Sequence, residues 1–167
     1  METVHVATLA PAALAKAVAD HPFVRGLAPA HLALLTGCAM FTHFDPGQVL
    51  FHQGEIANRF YLIERGRVSV ETHLPEGSPI TVQTVGPGDV LGWSWLFPPY
   101  YWHFDACALE PTDAIFFYGT RLRETCDQDR EFGYQMMRRV ATVVMQRLQI
   151  TVRHALRLAG SSVHPID

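Results

Sequence analysis

The sequence predicts a mainly β domain flanked by helices, and three observations carry that prediction. Nearly all turn-forming motifs lie within residues 40–119, among them the Pro-Glu-Gly-Ser-Pro run at 75–79. Short apolar or alternating runs separate these turns at intervals of about 8–12 residues, which is typical of a sandwich, jelly roll or barrel. Residues 120–159 contain no proline and have a helical composition, whereas residues 1–39 have the punctuated apolar spacing of short helices.

Six runs between the turns are the predicted strands. They are VLF (49–51), FYLI (60–63), VSVETH (68–73), ITVQTV (80–85), CALE (107–110) and AIFFY (114–118). The run FYLI has no polar residue, which indicates a buried strand. Upstream, residues 21–27 and 30–39 are the predicted short helices.

Length and composition limit the class of protein. The chain has 167 residues, of which 49% are hydrophobic and 17% charged, which favours one ordinary domain with a packed core over a disordered chain. Its apolar runs are shorter than the ~20 residues that a membrane helix needs, and its start lacks the basic and apolar regions of a signal peptide. The three cysteines are odd in number and widely spaced, so we expect a single domain, 1–167, in a reducing cytoplasm.

The last predicted helix carries an apolar stripe with a 3.5-residue period. The stripe consists of Met137, Ala141, Val144, Leu148, Thr151, Ala155 and Leu158. It could pack on the chain's own β domain, but a long helix at the chain end would then leave part of it exposed. We therefore expect the stripe to pack on a partner helix in a homodimer. Gly160, followed by Ser161 and Ser162, is the predicted end of the helix.

Residues 49–66, VLFHQGEIANRFYLIERG, contain a recognisable motif. Two large apolar residues are followed by Gly54 and an acid, then by a small residue, four large apolar residues and a closing Gly66. This order resembles the cyclic-nucleotide-binding domain of the catabolite-activator (CRP/FNR-like) family. The resemblance covers about residues 20–158 and implies a β-roll (jelly-roll-like) fold with short N-terminal helices and a long C-terminal helix.

The phosphate-binding cassette of that family corresponds to residues 88–108, which we call the cassette. In the family a glutamate takes the ribose 2′-hydroxyl and an arginine pairs with the cyclic phosphate. Here Trp93 stands at the glutamate position and Trp102 at the arginine position, and no arginine or lysine occurs between Val68 and Thr120. A buried phosphate without a cationic partner is costly, so we expect no ordinary binding of cAMP or cGMP.

Seven of the twelve residues at 93–104 are aromatic, including all three tryptophans of the chain. They could fill the vacated nucleotide pocket and leave a core without a ligand. Alternatively they could form an apolar cage for a planar ligand, with His103 and Asp105 as polar contacts, or seat a protein partner. The predicted pocket residues are Gly92, Trp93, Ser94, Trp95, Leu96, Trp102, His103, Phe104, Asp105 and Ala106.

Other classes of site find no support in the sequence. The nine histidines, including His5 and His164, show no i+3 or i+4 pair and no Cys/His spacing, so we expect no metal or other cofactor. No nucleophile elbow, P-loop or dinucleotide-binding glycine motif is present, which predicts a protein that is not an enzyme.

Five arginines and a single acid, Asp167, follow residue 131, whereas residues 1–131 contain fifteen acids and eight bases. This basic segment is either a solvated helix face or a surface for an acidic partner protein, with nucleic acid or a membrane surface as less favoured alternatives. No helix-turn-helix motif follows it, so we expect no sequence-specific DNA binding. The sequence thus favours a stand-alone regulatory or sensor module that acts through a protein partner. A receptor for another small molecule and an accessory subunit of an enzyme complex remain alternatives.

Overall fold

A computed structural model describes residues 8–160 and places eight strands in two antiparallel sheets. The strands are β1 (Ala39–Phe44), β2 (Val49–Phe51), β3 (Arg59–Arg65), β4 (Val68–Thr72), β5 (Ile80–Val85), β6 (Val90–Leu91), β7 (Asp105–Ala108) and β8 (Thr112–Tyr118). One sheet has the order β1-β8-β3-β6 and the other β2-β7-β4-β5. This arrangement confirms the predicted jelly-roll class. All six predicted runs overlap strands, although β7 begins two residues before the predicted CALE run. The sequence did not single out β1 and β6.

The helices flank the sheets at both ends of the described chain. They are α1 (Pro11–Asp20), α2 (Pro29–Thr36), α3 (Gly119–Gln128) and α4 (Arg130–Gly160), with short 3-10 turns at Pro22–Val24 and Trp93–Leu96. The predicted C-terminal helical region is therefore two helices. The break is at Asp129, whose carboxylate accepts the backbone N–H of Phe132 at 3.0 Å and so caps α4. Helix α4 ends at Gly160 as expected, while Ser161 and Ser162 lie outside the described residues. No helix among residues 8–160 combines the length and apolarity needed to cross a membrane.

Strand β3 is buried on both faces. Tyr61 and Ile63 point into the core between the two sheets, whereas Phe60 and Leu62 point into a second core beneath the helices. Strand β8, its neighbour, alternates in the same way. Two-sided burial explains why FYLI is apolar throughout rather than alternating.

Helix α4 packs on the outer face of this sheet. Its fully buried residues are Phe132, Met136 and Val140, which lie in the second core with Phe60. Their spacing of four residues is that of one helix face. The sheet therefore fixes the first half of α4, and α4 in turn passes beside the cassette.

We predict that Gly66→Ala destabilises the fold more than Gly54→Ala does. Both glycines have positive φ, 88° and 86°, which costs an alanine about 1–2 kcal/mol. A Cβ at Gly66 would also lie 2.5 Å from the Pro111 carbonyl oxygen and 2.7 Å from Thr112 Cα, whereas a Cβ at Gly54 meets nothing within 4 Å. Urea denaturation should show a loss in unfolding free energy at Gly66 at least about 1 kcal/mol larger than at Gly54. Equal losses would contradict the tight packing of the β3–β4 turn on the strand β8.

Candidate functional site

A cavity of about 290 Å³ lies between the cassette and helix α4. We call it the cassette cavity. The cassette contributes Leu91, Gly92, Trp93, Ser94, Trp102, His103 and Phe104, the sheets contribute Phe51, Val70, Val82 and Gln83, and α4 contributes Val144, Arg147, Leu148 and Thr151. Most of these side chains are apolar. The aromatic residues thus leave an open cavity beside them.

Six of the ten predicted pocket residues line the cavity, and four do not. The six are Gly92, Trp93, Ser94, Trp102, His103 and Phe104. Trp95 and Leu96, on the 3-10 turn, lie in or against the core beneath the helices, which Trp93 also contacts while it lines the cavity. Ala106 is fully buried between the sheets. These three residues and Asp105 are therefore not among the residues that line the cavity.

Trp102 forms part of the cavity wall and is itself core. Its ring stacks on Phe51 with centroids 3.9 Å apart and an interplanar angle of 14°, and its side chain is only slightly exposed. The edge of the indole lies directly under Gly92, where a Cβ would come within 2.8 Å of it. Gly92 also has a φ of 86°, so glycine serves both the reversal of the chain and the close approach of the indole.

Arg147 is the cation of this cavity, and the sequence did not single it out. Its guanidinium lies over the ring of Trp93, 4.5 Å from the centroid, and donates a hydrogen bond to the Val90 carbonyl. Arg147 is 8% exposed, and this burial lowers its pKa to about 10, against a smaller opposite effect of Asp89.

The basic face of α4 is therefore not entirely solvated. Arg139 is also partly buried, and its guanidinium donates to the carbonyls of Phe23 and Arg25 at 2.8 and 2.9 Å. The sequence offered a signal for Arg147, since it lies seven residues after the buried Val140 and so on the same helix face.

Asp105, expected as a polar contact in the pocket, is engaged elsewhere. Its carboxylate accepts the Gln53 N–H at 2.6 Å and a hydrogen bond from His73, and His52 Nδ1 lies 3.6 Å away. Burial alone would raise the pKa of this carboxyl, but these donors lower it below its usual value. His103, the other expected contact, is exposed at the cavity wall. No cluster of three or more potential metal ligands occurs within residues 8–160; His5 and His164 lie outside them.

The apolar stripe of α4 is largely exposed. Among its members only Val144 is half-buried, while Met137, Ala141, Leu148, Thr151, Ala155 and Leu158 are exposed. At about 100° per residue the stripe lies roughly a quarter-turn from the buried face of α4. Three stripe residues, Val144, Leu148 and Thr151, also line the cassette cavity. The structure thus brings together two sets of residues that the sequence suggested separately.

Comparisons with known proteins agree with the fold described above. The family described as cyclic nucleotide-binding domain matches residues 41–129. The chain is 27% identical over 127 residues to the CRP-like cAMP-activated global transcriptional regulator of Mycobacterium tuberculosis, a match that covers 76% of this chain and 55% of that protein. It therefore spans about half the length of this curated relative.

Two further relatives show where the likeness is local and where it is global. Acetyltransferase Pat of Mycolicibacterium smegmatis is 39% identical over 70 residues, which cover 42% of this chain and 21% of that protein. The crystal structure of a putative cyclic nucleotide-binding protein from Geobacter metallireducens superposes with a TM-score of 0.71 at 26% identity, covering 84% of this chain and 99% of that one.

We predict different stability losses for two tryptophans of the cavity wall. Trp102→Ala should lower the unfolding free energy by about 3–5 kcal/mol, because it empties a stacked, buried site. Trp93→Ala should cost less than half as much, since the Trp93 ring is half-buried and faces the cavity. Urea denaturation of both variants measures the difference. A loss at Trp93 as large as at Trp102 would mean that the Trp93 ring is core rather than an accessible wall.

Proposed function

Because this chain belongs to the cyclic nucleotide-binding domain family, we propose that it is a regulatory module without catalysis of its own whose cassette cavity takes a planar or apolar ligand. The observation that carries the proposal is the cavity itself, an apolar space of about 290 Å³ bounded by the cassette on one side and α4 on the other. Binding sites for small molecules are typically concave and mostly apolar, with few polar groups. The open cavity favours the receptor alternative over a pocket filled by its own aromatic side chains.

The same residues argue against ordinary binding of cAMP or cGMP. Trp93 and Trp102 stand where the family reads the ribose and the cyclic phosphate, and an indole offers one N–H donor and no charge. The Trp102 ring also occupies the space beside Gly92. A cyclic nucleotide would lose hydration at its phosphate and hydroxyl groups without recovering equivalent hydrogen bonds from the cassette.

The proposed output runs through α4. Val144, Leu148 and Thr151 belong both to the cavity wall and to the exposed stripe, so a ligand in the cavity touches the helix that carries the stripe. We propose that the stripe forms a homodimer and that the state of the dimer is read by a partner protein. A second helix along the stripe would remove exposed Leu148 and Leu158 from water, and it would cover the helix side of the cavity.

We predict that 2-naphthamide, a neutral planar probe, binds at micromolar concentration and that cAMP and cGMP do not. Isothermal titration calorimetry of the purified protein measures all three. Val82→Trp should weaken the probe at least about tenfold, because the indole takes up space in the cavity. Ile80→Trp is the matched control, since Ile80 is similarly exposed on the same strand but does not line the cavity.

Two results would contradict this proposal. Saturable micromolar binding of either cyclic nucleotide would show that the aromatic cassette still serves the family's usual ligands. Absence of heat with 2-naphthamide and with its carboxylate analogue 2-naphthoate would favour a module that acts without a ligand in this cavity.

We predict that Ala141→Glu with Ala155→Glu converts a dimer into a monomer. Both alanines are exposed on the stripe and lie outside the cavity lining, so the two charges would be buried only in a helix pair. Gln146→Glu with Gln149→Glu adds the same charge off the stripe and should leave the dimer intact. Sedimentation velocity distinguishes the two states, and a wild-type monomer would overturn the dimer proposal.

A further inference from the structure

Arg147 is a buried cation that faces the cassette cavity without a carboxylate partner. Within residues 8–160 no carboxylate oxygen lies within 4.0 Å of its nitrogens, whereas Arg65 and Arg67 each have one. Its described contacts are the Val90 carbonyl and the face of Trp93, and Asp89 acts on it only from beyond ion-pair distance. A guanidinium has five N–H donors, so these contacts leave most of its donors for another group.

The environment of Arg147 makes an anion the matching group. Arg147 is more than nine-tenths buried, and the lowered pKa of its guanidinium reflects the cost of that burial. Removing a charge from water is unfavourable unless an opposite charge or several hydrogen bonds compensate. The Trp93 ring offers a cation–π contact but carries no negative charge.

The rest of the cavity is suited to an apolar body. Phe51, Val70 and Leu91 form the side nearest the sheets. Arg147 is the sole fully charged side chain among the lining residues that the structure describes. The cavity therefore combines an apolar surface with one cation supplied by α4.

We infer that the ligand of the cassette cavity is an amphipathic anion: a planar or apolar molecule with one carboxylate, which pairs with the Arg147 guanidinium while the apolar body packs against the cassette. This inference rests on the proposed function and specifies the chemistry of its ligand. Arginine and a carboxylate can form two parallel hydrogen bonds, which fixes the orientation of the ligand as well as its charge. A ribose cyclic phosphate fits less well, because its ribose and cyclic phosphate are polar throughout, whereas most of the lining side chains are apolar.

The test compares 2-naphthoate with 2-naphthamide, which share the ring system and differ in charge. Wild-type protein should bind 2-naphthoate about 10- to 100-fold more tightly, the range that a charge-assisted hydrogen bond supplies. Arg147→Met should abolish this preference while it retains the binding of 2-naphthamide, which also shows that the variant is folded. Arg147→Lys should restore part of the preference. Arg153→Met, which removes an exposed charge from the same helix, should change neither affinity.

The outcomes separate this inference from the proposed function. Equal affinity of the wild-type protein for both probes would overturn the inference and leave the cavity as a receptor for neutral ligands. Failure of both probes would overturn the proposed function and the inference with it. If Arg147→Met does not fold, the Nε–H resonance of Arg147 in wild-type protein decides: it should shift with 2-naphthoate and not with 2-naphthamide. If this resonance does not shift when 2-naphthoate is added, the inference is overturned.

Discussion

The two-sided burial of β3 is the constraint on which the rest of the structure depends. Its inward residue Tyr61 packs on Phe51, with ring centroids 6.4 Å apart, and Phe51 in turn stacks on Trp102. Its outward residue Phe60 packs on Trp95 at 5.8 Å and shares the second core with the buried face of α4. One strand thus positions the cassette from both sides of the sheet. Because protein cores are close-packed, the distance between Trp102 and α4 follows from this strand.

The elements around the cassette cavity are not equally constrained. The cassette is tied at one end by β6, which pairs with β3, and at the other by β7, which pairs with β2 and β4. Helix α4 is anchored up to Arg147, after which residues 148–160 are all exposed. Segments with few buried contacts open at the lowest free energy. The C-terminal half of α4 is therefore the part of the cavity wall that a ligand or a partner can most readily move.

An element of the fold could be predicted from the sequence where its pattern involves residues close together in the chain. The strand FYLI and the cassette could be located because turn glycines and apolar runs report on neighbouring residues. The break at Asp129 depends on a side-chain cap, and aspartate is favoured at turns as well as at N-caps, so the residue type alone does not place the start of a helix. The different burial of Trp93 and Trp95 could not be predicted, since both are large aromatics two residues apart on the same 3-10 turn.

Arg147 shows the same limit at the candidate site. Its charge suggested a solvated face, and only its spacing from Val140 placed it on the buried one. Its partner, the Val90 carbonyl, is 57 residues away in the chain. Contacts over such a separation leave no pattern in a single sequence. The aromatic cluster was visible, but the cavity that it borders required the position of α4.

The location of the cation bears on how a ligand could act. In the related cassette pattern the arginine stands on the cassette, which here is pinned to both sheets. In this chain the buried cation stands on α4 instead. A ligand shifts a conformational equilibrium only through its different affinities for the two states, and an anion paired with Arg147 gains its charge interaction only where α4 lies against Trp93. A cation on the helix would therefore place the charge-dependent part of the proposed binding on the element that carries the exposed stripe.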